Sequence, residues 1–464
     1  MADNKDNIPS SAKATDGKMD KIISLCKRRG FIYPASEIYG GFANAFDFGP
    51  LGAQLKKNFK DAWWQKFVTE RDDMVGLDSA IIQNPKVWEA SGHLKSFSDP
   101  LVECKKCHQR FREDHVNEAE KIEKEKLTAE QKAMIECLKG GAHEFTEAKN
   151  FNLMFKTFIG VNEDSASVAY LRPETAQGIF TNFQNVTQST RVKLPFGIAQ
   201  IGKAFRNEIT PGNFIFRTRE FEQLEIEYFV LPEKEESKKW YEYWIKESKN
   251  FYSNLGIKEE NLSIREHAAE ELSHYSIGTS DIEYKFPFGV SELSGIAQRT
   301  DYDLKAHKLE YFDEESGKKL VPYVVEPSMG VDRALLAFLI DAYDESDGSD
   351  GRAEGEITLR LSPKLAPFKV AVFPLMKKEG MPDVANKIAA ELKASGISTY
   401  YDESGSVGKR YRRQDEIGTP WCITVDFDSL TDNSVTIRDR DTMKQERVSI
   451  EKVCDFVSDK LKSS

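Results

Sequence analysis

The chain has 464 residues, of which 40% are hydrophobic and 30% are charged, and its formal net charge is −11. This composition is ordinary for a folded protein of two or three domains, and no apolar run is long enough to predict a transmembrane helix. Residues 1–18 are polar and lack the apolar segment of a signal peptide, so we expect a disordered N-terminus and a cytoplasmic protein. The six cysteines are scattered, which argues against a disulfide framework.

The first regular element predicted in chain order is an amphipathic helix. Apolar residues recur at helical spacing over Gly52 to Thr69, and an extended segment, Met74 to Ile82, follows. Residues His115 to Lys139 are highly charged and prone to form helices. We therefore interpret the stretch of about 104–145 as an insertion in a larger domain.

The middle of the chain is predicted to consist mostly of strands between Tyr170 and Val230. Strands Gly197 to Phe205 and Phe214 to Val230, joined by a turn at Thr210 to Asn213, predict an antiparallel hairpin with a long loop. The further elements predicted here are helices Lys234 to Leu255 and Ile264 to His274, strands Glu283 to Phe288 and Val321 to Val325, and a helix that starts near Gly330.

A linker at Pro363 to Pro367, preceded by an acidic loop at Asp341 to Gly355, separates residues 19–362 from a second domain over 363–464. Alternating strands and helices predict that this second domain is α/β. Its predicted elements are strand Lys369 to Phe373, helix Asp383 to Ser395, strands Ser398 to Tyr401, Trp421 to Asp426 and Ser434 to Arg438, and helix Ile450 to Lys462.

The predicted hairpin carries an unusual mixture of side chains on one face. Alternation along the strands puts Arg206 and Glu208 on one face of the first strand. On the second strand it separates a mixed face (Arg217, Phe221, Gln223 and Glu225) from an apolar face (Leu224, Ile226, Tyr228 and Val230). A cation, an aromatic ring and a carboxylate together suit a nucleotide and an amine. The alternative is a solvated face with cross-strand ion pairs.

The helix predicted to start near Gly330 offers a second group. Its apolar stripe leaves Arg333 in the first turn and off the buried face. A helix N-terminus attracts anions, and an arginine beside it suits a phosphate. The alternative is an ordinary surface arginine.

These segments resemble the motifs of class II aminoacyl-tRNA synthetases. The hairpin with Arg206 resembles motif 2, the segment Gly330 to Arg333 resembles motif 3, and the helix with Trp63 and the strand ending at Pro85 resemble motif 1. Longer strings resemble the dimeric glycyl-tRNA synthetases, namely Tyr170 to Gly178, Gln200 to Ile209, Glu292 to Ala297, Glu326 to Ser328, Leu365 to Val370 and Gly408 to Arg413. The resemblance implies an α+β fold, with an antiparallel catalytic sheet flanked by helices, an α/β anticodon-binding domain, and a homodimer.

The resemblance also implies an ATP site with Mg²⁺. Arg206 would hold the α-phosphate and Arg333 the γ-phosphate as the catalytic residues, and Arg217 would also contact phosphate. Phe221 would stack on adenine, and Glu208 would accept from its amino group. Glu292 would help to coordinate Mg²⁺. The full implied set is Arg206, Asn207, Glu208, Phe216, Arg217, Thr218, Arg219, Glu220, Phe221, Glu292, Leu293, Gly330, Val331, Asp332 and Arg333.

The implied glycine site is acidic. Glu174, Glu225 and Glu326 would surround the ammonium, and Ser328 would close the space beside the α-carbon, because glycine is selected by excluding larger side chains. The full implied set is Arg112, Glu174, Phe221, Glu222, Gln223, Leu224, Glu225, Glu326, Pro327 and Ser328. The implied reaction converts glycine and ATP into glycyl-adenylate and pyrophosphate, and then transfers the glycyl group to the terminal adenosine of the glycine tRNA with release of AMP.

Two groups lie outside this site. Lys409, Arg410, Arg412 and Arg413 form a basic cluster that is expected to contact tRNA, although a solvated charged face is the simpler alternative. Cys104 and Cys107 have the spacing of half a zinc ribbon, with Cys137 as a third ligand. His143, His108 or His115 could supply the fourth ligand, and the alternative is a knuckle held by packing alone.

Three rival functions remain open at this stage. They are a non-catalytic relative that binds nucleic acid or serves as an accessory subunit, a class II enzyme for threonine, proline or serine, and an adenylating enzyme whose acceptor is not tRNA. The three arginines of the predicted ATP site, Arg206, Arg217 and Arg333, argue against the first of these.

Overall fold

The computed structural model describes residues 10–122, 127, 129–161, 167–209, 212–273, 276–378 and 380–463. Its helices are α1 Ser10–Arg29, α2 Pro50–Trp64, α3 Pro85–Ala90, α4 His93–Ser96, α5 Glu113–Glu120, α6 Ala129–Ile135, α7 Ala176–Thr190, α8 Lys234–Asn254, α9 Tyr302–Ala306, α10 Val331–Ala342, α11 Met381–Ala394, α12 Val407–Ile417, α13 Ser429–Asp432 and α14 Val453–Ser463. Within this described part, no helix combines the length and apolar character that a membrane span requires.

The strands of the first 360 residues are β1 Ile32–Pro34, β2 Phe46–Phe48, β3 Met74–Gly76, β4 Ser98–Glu103, β5 Arg110–Arg112, β6 Lys149–Asn152, β7 Lys156–Phe158, β8 Val168–Tyr170, β9 Phe196–Phe205, β10 Glu220–Val230, β11 Leu262–Glu266, β12 Thr279–Phe286, β13 Gly289–Thr300, β14 Tyr311–Asp313, β15 Lys318–Leu320, β16 Tyr323–Gly330, β17 Tyr343–Glu345 and β18 Ile357–Leu359. The remaining strands are β19 Val370–Pro374, β20 Thr399–Tyr401, β21 Trp421–Val425, β22 Ser434–Asp439 and β23 Gln445–Ser449.

A seven-stranded sheet forms the centre of the larger domain, in the order β11-β12-β13-β16-β10-β9-β3. All neighbours are antiparallel except β3 and β9. The predicted apolar face of β10, Leu224 to Val230 at alternate positions, lies in the main core with α1, α2, α8 and α10. Helix α7 covers the other face at the far end of β10, where it contacts Phe229. The near end of that second face remains open as a cleft.

The C-terminal domain has a five-stranded sheet in the order β20-β19-β21-β22-β23. Strands β20, β19 and β21 are parallel, and β22 and β23 complete the sheet in antiparallel fashion. Helices α11 and α14 pack on one face and α12 on the other. The predicted α+β fold with a second α/β domain is therefore confirmed.

Several predicted elements differ from the observed ones. Residues 176–190 form helix α7 where strands were expected, because Ile179, Phe180, Phe183 and Val186 are buried at helical spacing among polar residues. The predicted helix Ile264 to His274 is wrong, since the edge strand β11 and a short 3₁₀ turn occupy its described part; His274 lies outside the described residues.

The boundaries of two other segments also change. Strand β10 begins at Glu220 and is preceded by a 3₁₀ turn at Phe214–Phe216, while part of the predicted turn, residues 210–211, lies outside the described residues. Helix α1 begins at Ser10, so it overlaps the segment expected to be disordered; residues 1–9 also lie outside the described part.

A small module sits beside the open end of the central sheet. Its three strands have the order β5-β4-β6, and α5 and α6 follow β5. Most of it coincides with the predicted charged insertion. Strand β4 also carries Asp99 and β5 carries Arg112, both of which reach the cleft.

Candidate active site

A cleft of about 360 Å³ lies at the open end of the central sheet, where β10 runs between β9 and β16. Fourteen predicted site residues line it, namely Arg112, Arg206, Glu208, Phe216, Arg217, Thr218, Phe221, Glu222, Gln223, Glu292, Ser328, Gly330, Asp332 and Arg333. Four lining residues were not predicted, namely Phe97, Asp99, Leu153 and Ile215. The hairpin and the start of α10 thus converge as the sequence pattern suggested.

Arg206 lies directly after β9 and is held from three sides. Its Nε donates to the carbonyl oxygen of Pro173 at 3.0 Å. Its guanidinium carbon is 5.5 Å from the ring centroid of Phe97 and 5.4 Å from that of Phe221. The charge of Arg206 acts on both Glu225 and Glu292. The side chain is therefore fixed between the buried Glu225 and the wall of the cleft that carries Glu292.

Arg333 occupies the opposite wall of the cleft. Its Nη1 is 3.0 Å from both the carbonyl oxygen and Oε2 of Glu292, and its guanidinium carbon is 4.4 Å from the ring centroid of Phe216. Arg333 lowers the pKa of Glu292 and so keeps this carboxylate ionised. A Cβ on Gly295 would lie 3.5 Å from Oδ1 of Asp281 and 4.0 Å from Oε1 of Glu292. Two carboxylates therefore converge here, and carboxylate oxygen is the donor that Mg²⁺ prefers.

A network of buried carboxylates lies behind the cleft. Glu225 is 2% exposed, and its Oε1 accepts from Gln223 at 2.9 Å and from Ser328 at 3.1 Å. Its Oε2 accepts from the amide of Thr175 at 2.9 Å and from the Thr175 hydroxyl. Gln223 and Ser328 line the cleft, whereas Glu225 lies behind them. Glu225 therefore fixes the positions of two polar side chains that line the cleft.

Glu326 and Glu174 flank this carboxylate. Glu326 is 2.9 Å from Nη1 of the buried Arg299, whose Nε is 2.8 Å from Asp303. Burial raises the pKa of Glu326 to about 8, and the neighbouring carboxylates add to the rise while Arg299 opposes it. Burial also acts to raise the pKa of Glu174, but His93, 3.3 Å away, and Arg299 outweigh it, so that this pKa is lowered. The pocket therefore holds one carboxylate that stays ionised, Glu174, and two, Glu225 and Glu326, whose raised pKa values a nearby cation would lower.

Several residues of the implied sets do not face the cleft. The side chains of Leu224, Leu293 and Val331 are 0% exposed and belong to the core, and Glu174, Glu225, Glu326 and Pro327 lie behind the cleft lining rather than in it. Asn207, Arg219 and Glu220 face a second cavity of about 590 Å³, on the other side of the hairpin. Strand alternation explains this, because Glu220 and Phe221 are successive residues.

Two acidic residues at the cleft wall have lysine partners. Lys56 of α2 is 2.6 Å from Asp332 and 2.9 Å from Glu222, and Lys60 is 2.8 Å from Glu222. These contacts tie the hairpin and the start of α10 to helix α2. We infer a structural role for both carboxylates, in place of the direct ligand contacts that the resemblance implied.

Arg112 is held in place by carboxylates of its own module. It donates to Asp99 at 2.9 Å and to Asp114 at 3.1 and 2.7 Å. Asp99 and Arg112 both line the cleft. The geometry is compatible with a substrate contact by Arg112, which stays a prediction.

Comparisons with known proteins identify the family of this chain. The family described as "tRNA synthetase class II core domain (G, H, P, S and T)" matches residues 157–342, and "Anticodon binding domain" matches residues 369–460. The glycine–tRNA ligase of Caldanaerobacter subterraneus subsp. tengcongensis is 55% identical over 96% of this chain and 98% of the relative. That of Alkaliphilus oremlandii is 54% identical over 97% and 100%. The chain belongs to the glycine–tRNA ligase family.

A solved structure supports the fold of this glycine–tRNA ligase family member. Prolyl-tRNA synthetase from Cryptosporidium parvum, complexed with halofuginone and AMPPNP, matches with a TM-score of 0.65 at 16% identity, covering 99% of this chain and 77% of the other. At this identity the match is evidence for the fold alone. The family and fold implied by the sequence resemblance are thus confirmed, including the anticodon-binding domain.

The basic cluster of the anticodon-binding domain is only partly on the surface. Arg410 is 1% exposed and donates to the carbonyl oxygens of Pro374 at 2.6 Å and Leu375 at 3.1 Å. It therefore fastens α12 to the sheet and cannot serve as a tRNA contact. Lys409 is exposed, while Arg412 pairs with Glu356 and Arg413 with Asp402.

Three cysteines and a histidine converge in the β4–β5 module. One ligand atom from each of Cys104, Cys107, Cys137 and His143 lies within 4.8 Å of the others. Among the three histidines considered from the sequence, the structure therefore selects His143. Burial acts to raise the pKa of the Cys104 thiol, but backbone amides and His143 outweigh it and lower the pKa to about 5.

Proposed function

We propose that the chain attaches glycine to its tRNA in two steps at this cleft. In the first step a carboxylate oxygen of glycine attacks the α-phosphorus of ATP, the bond to the bridging oxygen breaks, and pyrophosphate leaves with glycyl-adenylate remaining. In the second step the terminal adenosine of the tRNA accepts the glycyl group and AMP leaves. The observation that carries the proposal is the position of Arg206, which lies between a buried acidic pocket and the side of the cleft that holds Arg333.

Arg206 supplies the charge stabilisation that this reaction needs. Negative charge grows on the α-phosphate as the carboxylate attacks, and a donor that is already oriented stabilises this charge without reorganisation. The carboxylate of glycine is ionised at neutral pH, so the step needs no general base. Arg333 at the other wall suits the terminal phosphates, and the ring of Phe221 suits adenine. This division of roles agrees with the family resemblance.

Glu292 and Asp281 would hold Mg²⁺, which when bound neutralises charge on the phosphates. The two carboxylates converge above Gly295, and a larger residue there would fill the space between them. Arg333 keeps Glu292 ionised in the absence of a metal. Glu292 therefore fits the ion as an ionised ligand, and Asp281, whose pKa is raised by burial and by Glu292, would ionise as the ion binds.

Glycine selection would depend on the acidic pocket and on Ser328. The hydroxyl of Ser328 donates to Glu225 at 3.1 Å, which fixes its position. It would therefore occupy the space beside the α-carbon of bound glycine. Glu174, whose pKa is lowered because His93 and Arg299 outweigh its burial, supplies negative charge that attracts the ammonium. Glu225 and Glu326, whose pKa values are raised by burial and by neighbouring carboxylates, would ionise as the ammonium binds. Selection against a larger amino acid then follows from lack of space.

Glu326 gives glycine binding a pH dependence. A bound ammonium favours the ionised carboxylate, so below about pH 8 glycine must displace a proton from a group whose pKa is about 8. We expect the KM for glycine to fall as the pH rises from about 6 to about 8, by at most about tenfold per pH unit. Steady-state pyrophosphate exchange at varied glycine concentration measures this change.

Two controls sharpen the pH experiment. The KM for glycine should no longer depend on pH in the Glu326→Gln variant. In the wild type, the KM for ATP should depend on pH much less than the KM for glycine does. Folding raises the pKa of Glu326, so the protonated carboxyl contributes its whole share to the free energy of unfolding at a pH below the pKa of Glu326 in the unfolded chain. This contribution is lost as the pH rises toward 8. A KM for glycine that is flat across this range in the wild type would contradict the role of Glu326.

The exposed part of the basic cluster would contact tRNA. We expect the double substitution of Lys409 and Arg412 by Ala to raise the KM for tRNA. The slope of log KM for tRNA against log salt concentration should also fall by about 2, because each lost phosphate contact removes about one released counterion. Glycine-dependent pyrophosphate exchange should not change. Replacing the exposed Lys387 and Lys393 of α11, on the other face of the sheet, provides a control of equal charge. An unchanged salt slope in the Lys409 and Arg412 variant would contradict the assignment.

We also propose a cytoplasmic homodimer. The loop between β1 and β2, next to helix α2, exposes Ile38 at 87%, Tyr39 at 86% and Phe42 at 65%. Clustered apolar exposure of this kind suits a partner surface, and a second copy is the partner that the motif 1 resemblance implies. Light scattering on the wild type and on Ile38→Asp tests this, with a monomeric wild type as the contradicting result.

Aminoacylation of tRNA with labelled glycine and ATP tests the whole reaction. Glycyl-tRNA should form and AMP should appear in equal amount. An ATPase or adenylating activity that leaves tRNA uncharged would favour the rival function with another acceptor.

A further inference from the structure

The β4–β5 hairpin is closed by a turn that contains two of the clustered cysteines. Strand β4 ends at Glu103, and the amide of Cys104 donates to the carbonyl of Gln109 at 2.8 Å. The turn therefore brings Cys104 and Cys107 together, while Cys137 and His143 come from the segment after α6. We propose that Cys104, Cys107, Cys137 and His143 bind a Zn²⁺ ion, and that this ion fixes the hairpin at the edge of the cleft.

The spacing of the ligand atoms fits a tetrahedral zinc ion. Zn–S bonds of about 2.3 Å and Zn–N bonds of about 2.0–2.1 Å imply tetrahedral edges of about 3.8 Å between two sulfurs and about 3.6 Å between sulfur and nitrogen. The Sγ atoms of Cys104 and Cys137 are 3.9 Å apart. Sγ of Cys107 and Nδ1 of His143 are 3.6 Å apart. Two opposite edges of the tetrahedron are therefore already formed.

The orientation of His143 is that of a metal ligand. Its Nε2 is 3.1 Å from the carbonyl oxygen of Ala133, which can only accept, so Nε2 carries the proton. Nδ1 is then left with a lone pair that faces Cys107. A ligating histidine ordinarily donates its other ring N–H to such a partner, which fixes its tautomer and its orientation.

The donor set selects the metal. Three sulfurs and one imidazole nitrogen at tetrahedral distances suit zinc, and they do not suit the hard cations that prefer oxygen. Cys104 is 0% exposed and Cys137 6% exposed, whereas Cys107 and His143 are half-buried. Four protein ligands fill the tetrahedron and leave no open position, as in structural zinc centres. Across the part of the chain that the structure describes, no second group of this kind is found.

The proposed ion is linked to the cleft through a short chain of contacts. The ring of His143 lies 5.0 Å from that of Phe111 and stacks on that of Phe145 at 5.2 Å. Phe111 directly precedes Arg112, and the register pairs it with Val102 on β4. Fixing His143 therefore fixes the strand that presents Arg112 to the cleft. This consequence rests on the proposed function, whereas the metal site itself does not.

Metal content tests the site directly. Protein purified without chelator should contain about one zinc per chain, as a closed structural site requires, and Co²⁺ substitution should give the visible bands of tetrahedral thiolate coordination. We expect His143→Ala to lose most of the zinc. His143→Cys should retain it, because a fourth thiolate replaces the imidazole. His108→Ala is the matched control, since His108 belongs to the same turn but lies 71% exposed beside Glu103.

Each outcome of this experiment decides the site. A wild-type chain without stoichiometric zinc and without the Co²⁺ bands overturns the proposal, whatever its activity. Zinc retained in His143→Ala overturns the ligand assignment. If His143→Ala does not fold, the Co²⁺ spectra of the wild type and of His143→Cys still decide, because the added thiolate must intensify the sulfur-to-metal charge-transfer bands.

Kinetics test the link to the cleft. Zinc-depleted protein should have a KM for glycine raised by about tenfold or more, the range seen when supporting groups of a site are removed. Re-addition of zinc should restore it, and the KM for ATP should change much less. An unchanged KM for glycine in zinc-depleted protein overturns the positioning role but leaves the metal site standing.

Discussion

Replacing Arg206 by alanine is expected to slow glycyl-adenylate formation by about 100- to 1,000-fold, the usual effect of removing one preorganised donor. The guanidinium is fixed by the carbonyl of Pro173 and lies between the rings of Phe97 and Phe221. It therefore loses little freedom when the α-phosphate develops charge. Arg333→Ala should have an effect of similar size, because its partner Glu292 would be left without its cation. Single-turnover formation of the adenylate measures both.

Arg219→Ala provides a matched control on the same hairpin. Arg219 faces the second cavity, and its Nη1 donates to the carbonyl of Ala43 at 3.2 Å. We expect adenylate formation in this variant to stay close to that of the wild type. Circular dichroism should show all three variants folded. An Arg206→Ala enzyme as fast as the Arg219→Ala enzyme would contradict the assigned role.

Replacing Arg299 by methionine is expected to lower the free energy of unfolding by about 3–5 kcal/mol, the usual cost of leaving buried charge without its partner. The Arg299 side chain is only 3% exposed and pairs with Asp303 and Glu326. Without its guanidinium, both carboxylates keep their desolvation cost and lose their compensation. Chemical denaturation followed by tryptophan fluorescence measures the change, since only Trp421 lies in the C-terminal domain.

Two further variants separate charge from packing. Arg265→Met removes an arginine that is itself 43% exposed and that pairs with the exposed Glu271 and, at 3.7 Å, with Asp281, so we expect a loss of at most about 1 kcal/mol. Adding Asp303→Asn to Arg299→Met should restore part of the lost stability, because the neutral amide needs no cation. An Arg299→Met loss no larger than that of Arg265→Met would contradict the account of the buried network.

The sequence pattern predicted those parts of the site that depend on local periodicity. Alternation along β10 correctly separated the core residues from the polar face, and the apolar stripe of α10 correctly located Arg333 in its first turn. It did not predict Arg299, because its partner Glu326 lies on another strand and only the assembled sheet brings the two side chains together. Thr175 belongs to a string that resembles the family, yet no pattern in the neighbouring sequence indicates that its amide and hydroxyl donate to Glu225.

Charged residues that point inward were the main source of error. Arg410 was taken as a tRNA contact because it belongs to a run of basic residues, but three backbone carbonyls hold it inside the domain. Asp332 and Glu222 line the cleft, and the sequence pattern did not indicate that the buried Lys56 pairs with both of them. Hydrophobic periodicity cannot identify such residues, since the pattern treats every charged position as exposed. His143 was likewise only one of three options until the fold brought it to the cysteines.

Pyrophosphate exchange into ATP with each of the twenty amino acids tests the central claim most directly. Exchange reports the first step alone, so it does not depend on tRNA or on the anticodon-binding domain. We predict that glycine supports the fastest exchange and that alanine and serine, which would collide with Ser328, support far less. Faster exchange with proline, threonine, serine or alanine than with glycine would contradict the assignment of the acidic pocket to glycine.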